Sequence, residues 1–111
     1  MAEFLMARFD IYPNPGDHGK TTPYLLDVQS DLLADLDTRV VVPLRSLKKF
    51  PDVALSDRLT PRLKLIGEEF LLEAPKMAAV PKRILRSPAA TLSQSQQDKI
   101  TIALDFLFHG Y

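Results

Sequence analysis

His18 and His109 are the only histidines of the chain, and they stand at its opposite ends. A metal site usually gathers three or four close ligands, so this pair predicts no metal centre. The absence of cysteine removes thiolate nucleophiles, disulfides and cysteine-held metals. No G-x-S-x-G elbow, P-loop or G-x-G-x-x-G run is present, and no cofactor is expected. Serines and aspartates are plentiful, so a Ser/His/Asp arrangement stays open. The adjacent carboxylates Glu68 and Glu69 fall where a hairpin turn is expected and read as solvated turn residues. Arg39, Arg45 and Arg62 leave room for a ribonuclease, in which arginine with threonine or aspartate would handle a phosphodiester. Residue types alone therefore point to no catalytic residue.

Binding chemistry is better represented. The chain ends "ALDFLFHGY", with Phe106, Phe108 and Tyr111 among its last six residues. Chain ends are usually polar and frayed, so such an ending calls for a reason. One reading tucks it into the protein's own core. The terminal carboxylate beside it opposes burial and favours a tip that is exposed or covered by a partner. A second stretch, "VQSDLL", puts Asp27, Gln29 and Asp31 on one side of a strand, either as the polar face of an edge strand or as a binding surface.

Net charge is zero, from 14 basic and 14 acidic side chains. Residues 1–44 are acidic on balance and residues 45–86 carry most of the basic side chains. Neutrality argues against non-specific DNA binding, which draws on many uncompensated phosphate contacts. The locally positive middle suits an acidic protein segment. No apolar run is long enough to span a membrane, and no basic segment followed by an apolar run marks a signal peptide.

These residues need elements to position them. "ARFDIY" (7–12) alternates, Phe9 and Ile11 against Arg8, Asp10 and Tyr12, and predicts a strand. "PNPGDHGKTTP" (13–23) is turn chemistry throughout. A second strand is expected from Tyr24 to about Ser30 or Leu33, and a third over "RVVVPL" (39–44), with Pro43 at a strand end, bulge or edge. "RLKLI" (62–66) and "FLLEA" (70–74) predict a hairpin turning at Gly67. "KMAAVPKRIL" gives one more extended segment, stopped by Pro81. Ser95 to Asp98 has the spacing of a capping box. Ile100, Ala103, Leu104, Leu107 and Phe108 then make one helical face, with Ile102 and Phe106 off it and Gly110 at the C-cap. A helix apolar on two sides needs a second surface, most simply a subunit interface. The expectation is one domain over residues 6–111, behind an extension at residues 1–5. It is mainly β with one C-terminal α-helix, a small SH3-like barrel or bent antiparallel sheet.

"YLLDVQSDLL", "RVVVPL", the hairpin around "IGEE", "MAAVP" and the terminal aromatic–ring–glycine–bulky ending together resemble the CcdB family, from about residue 7 to the end of the chain. That resemblance implies a barrel shared with MazF-type toxins and a homodimer. It implies a cytoplasmic toxin that binds the A subunit of DNA gyrase (GyrA) and traps the cleaved complex without catalysis. It also implies neutralisation by a CcdA-like antitoxin through a disordered acidic segment, and no sequence-specific nucleic-acid binding by the toxin alone. Residue by residue, the gyrase-binding positions fall on Leu32, Leu33, Asp105, Phe108, His109, Gly110 and Tyr111. Leu32 and Leu33 stand for two adjacent isoleucines of the family, and three further positions depart in chemistry: His109 replaces a tryptophan, Tyr111 an isoleucine and Asp105 an asparagine. An antitoxin surface would use Arg45, Lys48, Lys49, Arg62, Lys82 and Arg83, with Arg58 and Arg86 nearby in sequence. The alternatives are a MazF-like endoribonuclease on the same barrel, or a weakened homologue that only binds antitoxin.

Overall fold

A computed structural model describes residues 7–48 and 57–110. The expected extension at residues 1–5, and Lys49 and Tyr111, lie outside the described residues. Strands β1 (Ile11–Pro13), β2 (Tyr24–Asp27), β3 (Thr38–Ser46), β4 (Arg62–Leu65), β5 (Glu68–Leu72) and β6 (Ala78–Pro81) precede helix α1 (Gln94–His109). The sheet is antiparallel, in the order β1-β2-β3-β5-β4, and β6 pairs with the first half of β3. This open, curled half-barrel with one C-terminal helix is the mainly β fold expected.

β3 holds the sheet together because it changes partner along one edge. Residues Thr38 to Val41 pair with β6, and Leu44 to Ser46 pair with β5. Pro43 sits in the gap between these two ladders, so its missing N–H is not needed there. Its carbonyl still accepts from the Glu73 N–H at 3.0 Å.

Side chains alternate across the sheet. Ile11, Leu26, Val42 and Leu44 face the larger core, where Leu63, Phe70 and Leu72 meet Ile100, Ala103 and Leu104 of α1. Tyr12, Leu25 and Val41 face the other way into a smaller cluster, closed by Leu85 with Val80 and Ile84. Leu85 follows a 3-10 turn, Lys82–Ile84, that begins where Pro81 stops β6.

The smaller core contains charge. Arg39 and Asp27 are both fully buried, and Arg39 Nε donates to Asp27 Oδ2 at 2.7 Å. Asp27 is directly opposite Val41 and Arg39 is two residues along β3, so they form a diagonal cross-strand pair. The Gln29 N–H donates to Asp27 Oδ1 at 3.0 Å, and Arg39 Nη2 donates to the Gln29 carbonyl at 3.4 Å. Burial pushes the Asp27 carboxyl above its usual range, against the opposing pull of the Arg39 and Gln29 hydrogen bonds. Burial, with the charges of Asp10 and Asp27, likewise lifts the Tyr12 phenol to about 12. The polar face expected for an edge strand is thus wrong for Asp27 and Gln29. β2 is paired on both sides, and both residues are buried.

Three boundaries differ from the sequence reading. The first strand begins only at Ile11, because Asp10 Oδ2 accepts the Ala7 N–H and Phe9 turns into positive φ. The second strand ends at Asp27, and Asp31–Leu33 is a 3-10 turn. Glu68 and Glu69 are strand residues, because a two-residue turn, Ile66 and Gly67 at φ 52° and 77°, suffices to close the hairpin. The helix cap also moves. Ser93 is the N-cap, and Gln96 closes the capping box, while Asp98 accepts from Gln94 Nε2 instead. Gln96 Nε2 reaches the Lys64 carbonyl at 2.9 Å and ties the helix start to β4.

Removing one member of a buried pair strands the other charge, so Asp27→Ala and Arg39→Met should each cost about 3–5 kcal/mol. The double variant should lose less than the sum. Urea unfolding measures all three. Single losses under about 1 kcal/mol would place the pair with ordinary surface ion pairs.

Candidate functional site

The turn Asp31–Leu33 contains no buried residue. Leu32 is 95% exposed, Leu33 and Leu36 about half. Three leucines on one short loop are an apolar protrusion that adds nothing to the protein's own core, as expected of an interaction surface. Ser30 caps the turn, its Oγ accepting the Leu32 N–H at 3.2 Å. Gln29 lies beneath, taking the Val40 N–H at 3.1 Å and giving Nε2 to the Leu33 carbonyl at 3.0 Å. Asp31 Oδ1 accepts the Arg8 N–H at 2.8 Å. The family resemblance marked Leu32 and Leu33. It missed Leu36, whose signal was the leucine three places after Leu33.

The end of α1 makes a second protrusion. Ile100, Ala103 and Leu104 are buried and Leu107 partly so, but Phe108 is 66% exposed. The apolar face continues past the sheet it packs on. Asp105 and His109 are exposed as well. Gly110 caps the helix at φ 78°, and its N–H donates to the Phe106 carbonyl at 2.9 Å. A Cβ there would meet no atom within 4 Å, so glycine is required by backbone conformation and not by space. The off-face residues behave differently from each other. Ile102 is half exposed, whereas Phe106 is partly covered, with the Arg58 guanidinium 4.6 Å from its ring centre. The second apolar side of the helix is therefore partly covered within the chain.

The basic residues fall in two places and not one. Arg45 and Arg62 are both opposite Leu71 of β5, on one row and one face of the sheet. Arg62 is exposed, and Arg45 stands 3.8 Å from the mostly buried Glu73 carboxylate. Lys48 is exposed in the turn after β3. Lys82 and Arg83 belong to the turn after β6, and the Lys82 ammonium donates to the Ala34 carbonyl at 2.9 Å. Arg39, one of the three arginines that left room for a ribonuclease, is sealed in its ion pair. His18 and Arg45 do line a shared polar cleft with Asn14, Thr21, Thr22, Glu73 and Lys76. Among the described residues, no group of three or more His, Asp or Glu side chains is placed to hold a metal ion. No helix among them is long and apolar enough to cross a membrane.

A family model described as "CcdB protein" matches residues 8–110, nearly all of the described chain.

Exposed side chains away from special features change stability by no more than about 0.5 kcal/mol. Leu32→Ser and Phe108→Ser should therefore unfold in urea like the parent, while Leu104→Ala should lose about 2–5 kcal/mol. A loss in Leu32→Ser equal to that in Leu104→Ala would make the leucine a packing residue.

Proposed function

Because the chain belongs to the CcdB family, whose members are toxins of toxin–antitoxin pairs, we propose that it poisons DNA gyrase by binding GyrA and trapping the cleaved gyrase–DNA complex. The observation that carries this reading is the exposure of Leu32, Leu33 and Phe108 at positions where the family resemblance puts target contacts. An exposed phenylalanine is suited to anchor an interface, and exposed leucines add apolar area for a partner to cover. A two-fold dimer with the helix ends side by side would join two copies of the Phe108–His109–Gly110 tip, with Tyr111, into one surface.

His109 and Asp105 change the chemistry of that tip. An indole presents a larger π-face to an arginine than an imidazole does, so Phe108 and Tyr111 would supply more of the aromatic contact here. The exposed carboxylate of Asp105 favours a basic target surface. On this reading the protein needs no catalytic residue.

The antitoxin would be a CcdA-like protein whose acidic segment folds on binding. Arg45, Arg62 and Lys48 on the β3–β5–β4 side are its best-supported contacts, with Lys49 next in sequence and Arg83 on the separate turn after β6. The cleft around His18 and Arg45 is what an endoribonuclease reading would use, although Arg39 is withdrawn from it by burial.

The test is DNA cleavage by purified gyrase with ATP, using the full chain beside a version truncated after Phe108. Linear DNA that forms with the full chain, and falls roughly thirtyfold or more on truncation as for loss of a hot-spot contact, is the expected result. Cleavage of RNA without gyrase-dependent DNA breaks would favour the endoribonuclease. Neither activity, from a folded protein that still binds antitoxin, would mark a weakened homologue.

A further inference from the structure

A three-residue 3-10 turn has little stability of its own, and the turn Asp31–Leu33 has no buried side chain to hold it. Its backbone is nevertheless held at its C-terminal end, where the Leu33 carbonyl accepts the Leu36 N–H at 3.1 Å and side chains add to that bond. The Leu33 carbonyl accepts from Gln29 Nε2 at 3.0 Å, and the next carbonyl, Ala34, accepts from Lys82 Nζ at 2.9 Å. Both donors are well anchored. Gln29 is buried, its N–H on Asp27 and its side-chain oxygen on Val40. Lys82 is half-buried, and its own N–H donates to the Asp37 carbonyl at 2.8 Å.

Resting on the reading that Leu32 and Leu33 touch the target, we propose that Lys82 and Gln29 are positioning residues for that contact, holding the leucine turn in its presenting form before the target arrives. Lys82 meets the C-terminal end of the turn, where its ammonium takes the Ala34 carbonyl. Gln29 links the same turn to β3 and, through Asp27, to the buried ion pair. A loop ordered in advance loses less entropy on association, so these two side chains strengthen binding without contacting the target. One N–H of the Lys82 ammonium is engaged inside the chain, and its charge still adds to that of the exposed Arg83 beside it.

The test uses the full chain in four forms: parent, Lys82→Met, Lys82→Arg and Arg86→Met. Lys82→Met keeps the stem and removes the donor, Lys82→Arg keeps a donor, and Arg86→Met makes the same charge change at an exposed residue four places on. Amide hydrogen exchange is read at Leu33, Ala34 and Leu36, with Leu26 and Val42 as core references. In Lys82→Met the turn amides should exchange about fivefold or more faster while the core amides hold. Affinity for the isolated GyrA fragment should fall about tenfold. Arg86→Met should match the parent in both, and Lys82→Arg should recover most of the loss. Exchange and affinity within about twofold of the parent in Lys82→Met would overturn the proposal. So would equal acceleration of turn and core, which makes Lys82 a general stability residue, or an Arg86→Met that behaves like Lys82→Met. A parent chain that never binds GyrA would refute the proposed target, while the exchange data still decide whether Lys82 holds the turn.

Discussion

Asp27 and Arg39 meet at 2.7 Å with neither side chain exposed, and much of the fold is arranged around keeping them so. Two buried charges lose their hydration, and a single ion contact seldom repays that. Here the Gln29 N–H serves the second Asp27 oxygen and the Gln29 carbonyl takes Arg39 Nη2, while Arg39 Nη1 is buried with no hydrogen-bond partner among the described residues. Leu85, Val80 and Ile84 close the cluster on that face of the sheet. The pair joins β2 to β3 diagonally, and through Gln29 it reaches the turn that carries Leu32 and Leu33. A polar interaction in the smaller core thus fixes an apolar feature on the surface.

That arrangement explains how the protein can display leucine and phenylalanine to water. The large core, where the sheet meets Ile100, Ala103 and Leu104, supplies the hydrophobic stabilisation. Leu32 and Phe108 are free of that task, and the backbone beneath each is held by capping: Ser30, Gln29 and Lys82 at the turn, the left-handed Gly110 at the helix end. On the proposed gyrase-binding reading such sticky ends have a purpose, since contacts that are ordered in advance lose less entropy on association.

Alternation and turn chemistry made most of the fold legible from the sequence. The β3 run "VVV" and the hairpin around Gly67 follow local rules, and so does the glycine that ends the helix. What stayed hidden depended on partners distant in the chain. Asp27 on a strand reads as a solvent-facing residue until Arg39, across the turn, is known to point at it. The cap was misplaced by two residues because Ser93 and Ser95 are equal candidates until one sees that Gln96, and not Asp98, has the reach to close the box. Lys82 read as one more surface cation, and its bond to the Ala34 carbonyl, far away in sequence, had no local signal. The leucine turn and the helix tip were singled out by the family resemblance; helical periodicity alone put Phe108 on the packing face, which runs on past the sheet and leaves that ring exposed.

The most direct measurement of this account is an NMR titration of the isotopically labelled full chain with the GyrA fragment, following backbone amides. The account predicts that the largest shifts or broadening fall on Leu32, Leu33 and Leu36 and on Asp105, Phe108, His109 and Gly110, with the amides of Asp27 and Arg39 nearly still. Changes centred instead on the cleft of His18, Arg45 and Glu73, or a folded protein whose spectrum ignores the fragment, would contradict it.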